Sequence, residues 1–554
     1  MYRFRTLLLF GILLLGMSAC RDGRHEDKAS QHKGRIPQTS QTLEVDDHDS
    51  FDFNKLDTIH YYHGEIEDST FYFKIDKISP NGISGRYYRI GTTEWLSPKP
   101  FSILLKKRRY IYSSNGKEIP FKFKITIGKT AIFGTFSPSA NPINKMDFAF
   151  EQYVEPPFKE YSTKRYKEET FSVEKNENVV YGQARGFWSS YPIKEEKYLK
   201  IFVKGIGQTA SKKNLDLALD LYLPDKDTIR KRPLLILMHG GAFYFGDKGA
   251  ETMTKWCEHF AKIGYVTASV NYRMGFRLSK ASILQCGYEA IQDAHAAIRF
   301  LAAHADEYGI DPDNIFIGGT SAGSITALAV TFMRNSTRPP FVFEQHLDSK
   351  CGNLEASGNK LHPSFHIRAV ANMWGAVYDL DELNGHHIPV ISFHGTDDNI
   401  VPYDQGIPFS NISNIGEKFF DKMYGSKSIH KRLDSLKIRN EFYPIQGAGH
   451  SPYQDKQGHP NDWYYFIQNK MQDFFYKEIT RIANITPVAK KPGSYQLKQE
   501  DIQILQWRAE GGFITSTEDN CVTVLWRKDA SNRKIIASGT RTNGTAFKCE
   551  KCIR

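Results

Sequence analysis

Three side chains in this chain could together break an acyl bond: a serine hydroxyl, an imidazole and a carboxylate. Ser321 stands at the centre of Gly319-Thr320-Ser321-Ala322-Gly323, within "FIGGTSAGSITAL". Asp397 and Asp398 lie in "IPVISFHGTDDNIVPY", and His450 in "FYPIQGAGHSPY". A neutral serine hydroxyl is a poor nucleophile, so it needs a base to take its proton and an acid to orient that base. Here serine, acid and histidine follow one another in that order, the last two on loops after strand-like runs. The small residues two positions either side of Ser321 suit a sharp strand-to-helix turn, where anything larger would strike the neighbouring backbone. The charge developing on a substrate oxygen must also meet N–H donors. Ala322, at the start of the following helix, offers one. A second group is expected from His239-Gly240-Gly241-Ala242-Phe243, where glycines bring a loop backbone close to the substrate.

Positioning such groups requires a rigid frame, and the middle of the chain has the grammar of one. Apolar runs such as "PLLILMHG", "YVTASVNY", "NIFIGG", "AVANMWG", "IPVISFHG" and "NEFYPIQG" alternate with helical patterns. In "EAIQDAHAAIRFLAAHA", Ile291, Ala294, Ile298, Leu301 and Ala302 recur at helical spacing, which predicts one buried and one polar face. Strands apolar throughout and joined by helices imply an α/β domain with a parallel sheet covered on both sides. Before it, short alternating runs ("STFYFKIDKI", "GISGRYYRIG", "IPFKFKITIG") with Asn81-Gly82 and Asn115-Gly116 turns predict an all-β domain. After the linker "TPVAKKPGSYQ", a tail containing Trp507, Gly511-Gly512 and Trp526 is again strand and turn.

Taken together, "LDLYLP", "HGGAF", "VNYRMGF", "QDAHAAIRFLAAHADEYGIDPDNIFIGGTSAGS", "HGTDDNIVP" and "GAGHS" resemble the α/β-hydrolase fold, with the flavour of carboxylesterases and hormone-sensitive-lipase-like esterases. The resemblance implies a serine hydrolase needing neither cofactor nor metal, with Ser321, Asp398 and His450 as triad and Asp397 as the fallback acid. It assigns the oxyanion donors to the amides of Gly241, Ala242 and Ala322. The implied substrate is a carboxylic ester, with acylated polysaccharide one candidate by analogy. A prolyl-oligopeptidase-type peptidase would share the chemistry, but about 120 unrepeated β residues do not make its propeller. A catalytically inactive hydrolase fold serving adhesion is the rival from another class. The C-terminal tail resembles PKD-like immunoglobulin-type sandwiches. The expected division is 1–20 signal segment, 21–50 tether, 51–190 all-β domain, 191–485 catalytic domain and 486–554 β-sandwich.

Other polar residues have plainer expected roles. His239 is read as shaping its loop, His394 as capping a strand end, and Asp293 with His295 as a solvated or core-edge helix face. Asp313 reads as turn chemistry, and His386-His387 lacks partners for a metal. Phe409, Phe419, Phe420, Met423 and Tyr424, in the long segment between acid and histidine, fit either a helical lid over an acyl pocket or a helix of the α/β layer with a surface loop.

The first residues, "MYRFRTLLLFGILLLGMSAC", have the build of a secretory signal ending in a lipobox-like Met-Ser-Ala-Cys, with Met17 where Leu is usual. Cys20 is thus the expected lipid anchor of an exported, membrane-attached protein. The six remaining cysteines permit disulfides, with a terminal staple involving Cys521 expected. The 73 basic and 62 acidic residues leave a net charge of +11. They are scattered rather than gathered into a nucleic-acid module, so no nucleic-acid partner is expected.

Overall fold

The computed structural model describes residues 58–554 apart from 67–68, 92, 107–108, 115–116, 128–130, 139–145, 193–207, 339–350, 411–415 and 456–457. The expected signal segment, Cys20 and the whole of the tether lie outside the described residues.

Eight strands build the central sheet: β1 (Val173–Gly186), β2 (Lys213–Pro224), β3 (Arg232–Met238), β4 (Val266–Val270), β5 (Ile310–Thr320), β6 (Ile367–Met373), β7 (Val390–Gly395) and β8 (Asn440–Ile445). Their spatial order is β1-β2-β4-β3-β5-β6-β7-β8. β2 runs antiparallel to β1 and β4, and every later pair is parallel. All seven residues of β3 are buried, because helices cover both faces. Alternation along that strand divides the core. Leu235 and Leu237 meet Trp256 and Phe260 of α1 (Glu251–Lys262) and Phe474 and Phe475 of α5 (Asp462–Ile479). Leu234 and Ile236 share the opposite core with α2 (Lys280–Ala303), α3 (Ala322–Phe332) and α4 (Ser426–Ser435).

Three expectations need correction. β1 begins at Val173, inside the range assigned to the accessory domain. Among the described residues its outer edge meets only a single bridge, from Gln183 to Gly358, so exposed and half-buried residues alternate as in a surface β domain. The predicted apolar stripe of α2 is buried, but so are Gln285, Glu289, Gln292, Asp293 and Arg299 on its polar side. The segment 351–359 covers the later ones: Gln292 donates to the carbonyls of Cys351 and Asn353, and Arg299 to that of Ser357. Asp293 is therefore a core residue, clasped by Arg273 through Nε at 2.9 Å and Nη2 at 2.7 Å. Finally, Cys257, Cys286, Cys351, Cys521, Cys549 and Cys552 are all free thiols. Cys549 and Cys552 stand three apart on one strand and so face opposite sides, while Cys521 belongs to another sheet.

Removing one partner of the Arg273–Asp293 pair leaves a buried charge uncompensated. Asp293→Ala is expected to cost about 3–5 kcal/mol in chemical denaturation. Replacing both partners with apolar residues of similar volume should recover most of that loss.

The N-terminal strands close into an eight-stranded barrel, the first, Tyr62–Ile66, pairing antiparallel with the last, Met146–Gln152. The C-terminal residues form one sheet of Ile485–Pro487, Ser494–Leu497, Cys521–Arg527 and Gly512–Glu518, and another of Ile502–Glu510, Lys534–Arg541 and Ala546–Cys552. Between them lie Trp507, Val524, Trp526 and Phe547. The two β modules touch one another: Trp95-Leu96 of the barrel region pairs with Trp526-Arg527, and Phe513 stacks on Tyr72 at 4.1 Å. No helix among the described residues is long and apolar enough to cross a membrane.

Candidate active site

Strand β5 ends at Thr320 and α3 begins at Ala322, which leaves Ser321 alone to make the turn. Its backbone takes φ 54° and ψ −120°, a conformation a side chain bears only where the surroundings enforce it. The enforcement is visible on both sides. A Cβ on Gly319 would come within 2.5 Å of the Gly323 carbonyl group, and one on Gly323 within 2.3 Å of the Met238 oxygen. Strand, turn and helix thus meet backbone to backbone, and the hydroxyl stands at the carboxyl ends of β3 and β5.

His450 Nε2 lies 2.9 Å from Ser321 Oγ, and His450 Nδ1 lies 2.8 Å from Asp398 Oδ2. With Nδ1–H donating to the carboxylate, Nε2 is free to accept the serine proton. The other carboxylate oxygen of Asp398 accepts the amides of Ile400 at 2.9 Å and Val401 at 3.1 Å. Burial by itself would raise this carboxyl. Hydrogen bonds from His394 and His450, with the attraction of both rings, hold it well below the usual carboxylate range. Asp397, the fallback acid, is exposed and bonded to the Thr396 hydroxyl.

His394 does more than cap a strand. It is fully buried, with Nε2 3.2 Å from Asp398 Oδ2 and from the Val401 carbonyl, and Nδ1 2.8 Å from Ser426 Oγ. Ser426 also accepts from Asn372 Nδ2 at 3.0 Å, and Asn372 Oδ1 accepts from the Ser324 hydroxyl at 2.6 Å. A chain of buried polar groups therefore leaves α3 one turn after Ser321 and crosses β6. It reaches Asp398 through α4 and His394, and returns to Ser321 through His450. Such a network is stable because each buried group has its partner. Only the spacing His394 to Asp398, four residues across a strand end, hinted at it in the sequence. Trp374 was also not anticipated: at φ 47° it sets its ring 6.4 Å from His450 and 4.7 Å from Tyr453.

The loop after β3 turns through three residues of positive φ, Gly241 (118°), Ala242 (51°) and Phe243 (57°). At Gly241 glycine is obligatory, since a Cβ would sit 1.8 Å from the Phe245 oxygen. The Gly241 carbonyl accepts the amides of Tyr244 and Phe245, which folds the loop back on itself. The amides of Gly241, Ala242 and Ala322 have no partner among the described residues. His239 fills the expected shaping role. It is buried, stacks on Tyr272 at 4.6 Å and hydrogen-bonds the Gly240 carbonyl through Nδ1 at 2.7 Å; burial lowers its pKa, so it is neutral.

Beside Ser321 opens a pocket of about 920 Å³, counting its mouth. Ala242, Ile325, Ala329, Val377, Phe409 and Phe420 give it apolar walls. Both readings of the segment between acid and histidine prove partly correct. α4 belongs to the α/β layer, whereas Phe409, Phe420 and Met423 wall the pocket. Met423 does so from the three-residue strand Met423–Gly425 rather than from a helix.

One acidic group also lines this pocket. Glu382 is buried, and burial, with Asp379 nearby, pushes its carboxyl up from 4.5 to about 7. A carboxyl whose folded value exceeds its unfolded one costs stability once the unfolded chain ionises. The penalty begins near pH 4.5, grows to about pH 7 and is constant above. Glu382→Gln is expected to raise the melting temperature at pH 8, by removing a cost of roughly 3 kcal/mol, and to leave it nearly unchanged at pH 4. A melting curve at each pH checks this.

The BD-FAE family profile matches residues 219–388. Over 264 residues the chain is 33% identical to the protein named probable carboxylic ester hydrolase LipM of Mycobacterium tuberculosis, covering 41% of this chain and 59% of that one. It is 30% identical over 117 residues to gut esterase 1 of Caenorhabditis elegans, covering 21% and 20%. It is 28% identical over 121 residues to the para-nitrobenzyl esterase of Bacillus subtilis, covering 21% and 24%. The chain thus spans between a fifth and three fifths of the length of these relatives. Among solved structures, esterase 2 of Thermogutta terrifontis modified by paraoxon aligns with 48% of this chain and 90% of its own, at 22% identity and a TM-score of 0.34.

Proposed function

We propose that the chain is a serine hydrolase that cleaves carboxylic esters through an acyl-enzyme. The observation that carries this reading is the unbroken run of contacts from Ser321 through His450 to Asp398, beside an apolar pocket that Ser321 lines. Ser321 Oγ attacks the ester carbonyl while His450 Nε2 takes its proton. Asp398 holds the ring by Nδ1–H and stabilises the imidazolium. The amides of Gly241, Ala242 and Ala322 receive the oxyanion. His450 then returns the proton to the departing alkoxide, and a water activated the same way releases the acid. Esterase relatives among the sequence matches support the reaction class.

The finer reading is an exported esterase held at a membrane by a lipid on Cys20, with acylated polysaccharide as substrate and a PKD-like C-terminal module. The signal-like first residues and the two flanking β modules support it.

The test is hydrolysis of p-nitrophenyl acetate by residues 21–554, together with labelling by a fluorophosphonate. Turnover, with one label per chain on the peptide carrying Ser321, is the expected result. A folded protein with neither turnover nor label would overturn the reading and leave adhesion as the better account.

A further inference from the structure

The pocket beside Ser321 has one feature that a plain hydrocarbon site would exclude. Glu382 is only 4% exposed and lines the pocket, yet its carboxyl has no hydrogen-bond or ion-pair partner among the described residues. A carboxyl left with so little exposure loses most of its hydration, and a polar ligand group in the pocket can restore what is lost.

Its position along the pocket can be read from its neighbours. Ser321 caps the N-terminal end of α3, and Ile325, Ala329 and Met333 line the pocket at successive turns along that helix. Glu382 lies in the short 3-10 turn Leu380–Leu383. The residues just after it are tied to the other end of α3: Asn384 accepts from Arg334 Nη2 at 2.7 Å, and His386 Nε2 hydrogen-bonds the Phe332 carbonyl at 3.1 Å. Eleven to thirteen residues at 1.5 Å each place that end roughly 16–20 Å from the nucleophile along the helix axis. Glu382 is therefore tied to the end of the pocket away from the nucleophile.

We propose that Glu382 makes this pocket selective for acyl chains that carry a hydroxyl at their far end. The proposal rests on the esterase reading above and names the substrate class of the same site. Apolar walls hold the body of the chain, and its terminal hydroxyl donates to the carboxyl. A hydroxyl fits better than an ammonium group, which would have to shed its own water and hold Glu382 ionised among apolar walls. Tyr378, whose hydroxyl also has no partner among the described residues, lines the same pocket. The remaining phenol there, Tyr288, is bonded to the Gly352 carbonyl at 2.9 Å.

The experiment compares p-nitrophenyl esters of decanoate and dodecanoate with their ω-hydroxy and ω-amino counterparts, each rate being divided by that on p-nitrophenyl acetate. The wild type is expected to favour the ω-hydroxy ester of at least one length about tenfold in kcat/KM over the plain ester. Glu382→Leu should reverse that order, and Glu382→Gln, which still donates and accepts, should keep part of it. Equal rates in the wild type, a preference surviving Glu382→Leu, or a larger preference for the ω-amino ester would overturn the proposal. Absence of turnover on the acetate itself would instead count against the esterase reading, so the two failures are distinguishable.

Discussion

Asp398→Asn is expected to lower kcat on p-nitrophenyl acetate by about 10⁴-fold while the fold and the Ser321–His450 spacing persist. The reason lies in the four donors around the carboxylate. Ile400 and Val401 present backbone N–H groups to Oδ1, and these cannot change sign. The asparagine oxygen must therefore face them, and its NH₂ must face the two imidazoles. An imidazole can change tautomer, so His450 Nδ1 becomes an acceptor and the proton moves to Nε2. The ring then offers Ser321 a donor where a base is needed. Ser321→Ala and His450→Ala should each fall further, by about 10⁵–10⁶-fold, and the double variant no further than either single one, because the groups act as a unit. Single-turnover rates with circular dichroism as a folding control decide the matter. Losses that added across the double variant would mean that Ser321 and His450 do not share one proton.

Gly323→Ala is the second large effect expected, and it acts on architecture rather than chemistry. The added methyl would lie 2.3 Å from the Met238 oxygen and 2.4 Å from the His239 oxygen. Both are backbone atoms, at the end of β3 and the start of the oxyanion loop, so no rotamer change relieves the contact. Either α3 moves off the sheet or the loop moves off the substrate. Overpacking of this kind costs typically 1–3 kcal/mol, and more where backbone must shift. Activity should suffer more than stability, since a displacement near 1 Å at a reacting centre is worth about 10²-fold. Gly91→Ala, where nothing lies within 4 Å of the new methyl, is the matched control and should leave both quantities unchanged. Full activity in Gly323→Ala would mean that the close approach of α3 to β3 is not needed to aim the amides.

The triad residues could be picked out by type, order and the strand-like runs before them, because the chemistry demands a serine, an acid and a histidine on loops after strands. The choice of Asp398 over Asp397 was not decided by the residues alone. Adjacent residues after a strand point to opposite sides, and only folding shows that Asp397 meets solvent. The apolar strands β3 to β7 were readable for a related reason: burial on both faces leaves nothing but apolar residues to choose from. β1 was misassigned because an edge strand has the alternation of any surface sheet.

What the sequence determined by itself, then, was whatever depends on neighbours along the chain: the tight elbow at Gly319–Gly323, the strand and helix periods, and the types of the reacting groups. What only the tertiary structure decided depends on groups far apart in the chain. The ring from Ser324 through Asn372, Ser426 and His394 to Asp398 joins residues of four separate segments. The burial of Asp293 depends on Arg273, twenty positions away, and on a cover segment beyond Cys351. Glu382 becomes unusual only when the pocket closes around it. Hydrogen-bond satisfaction and desolvation are properties of the space around a side chain, and that space is assembled from parts of the chain that carry no local record of one another.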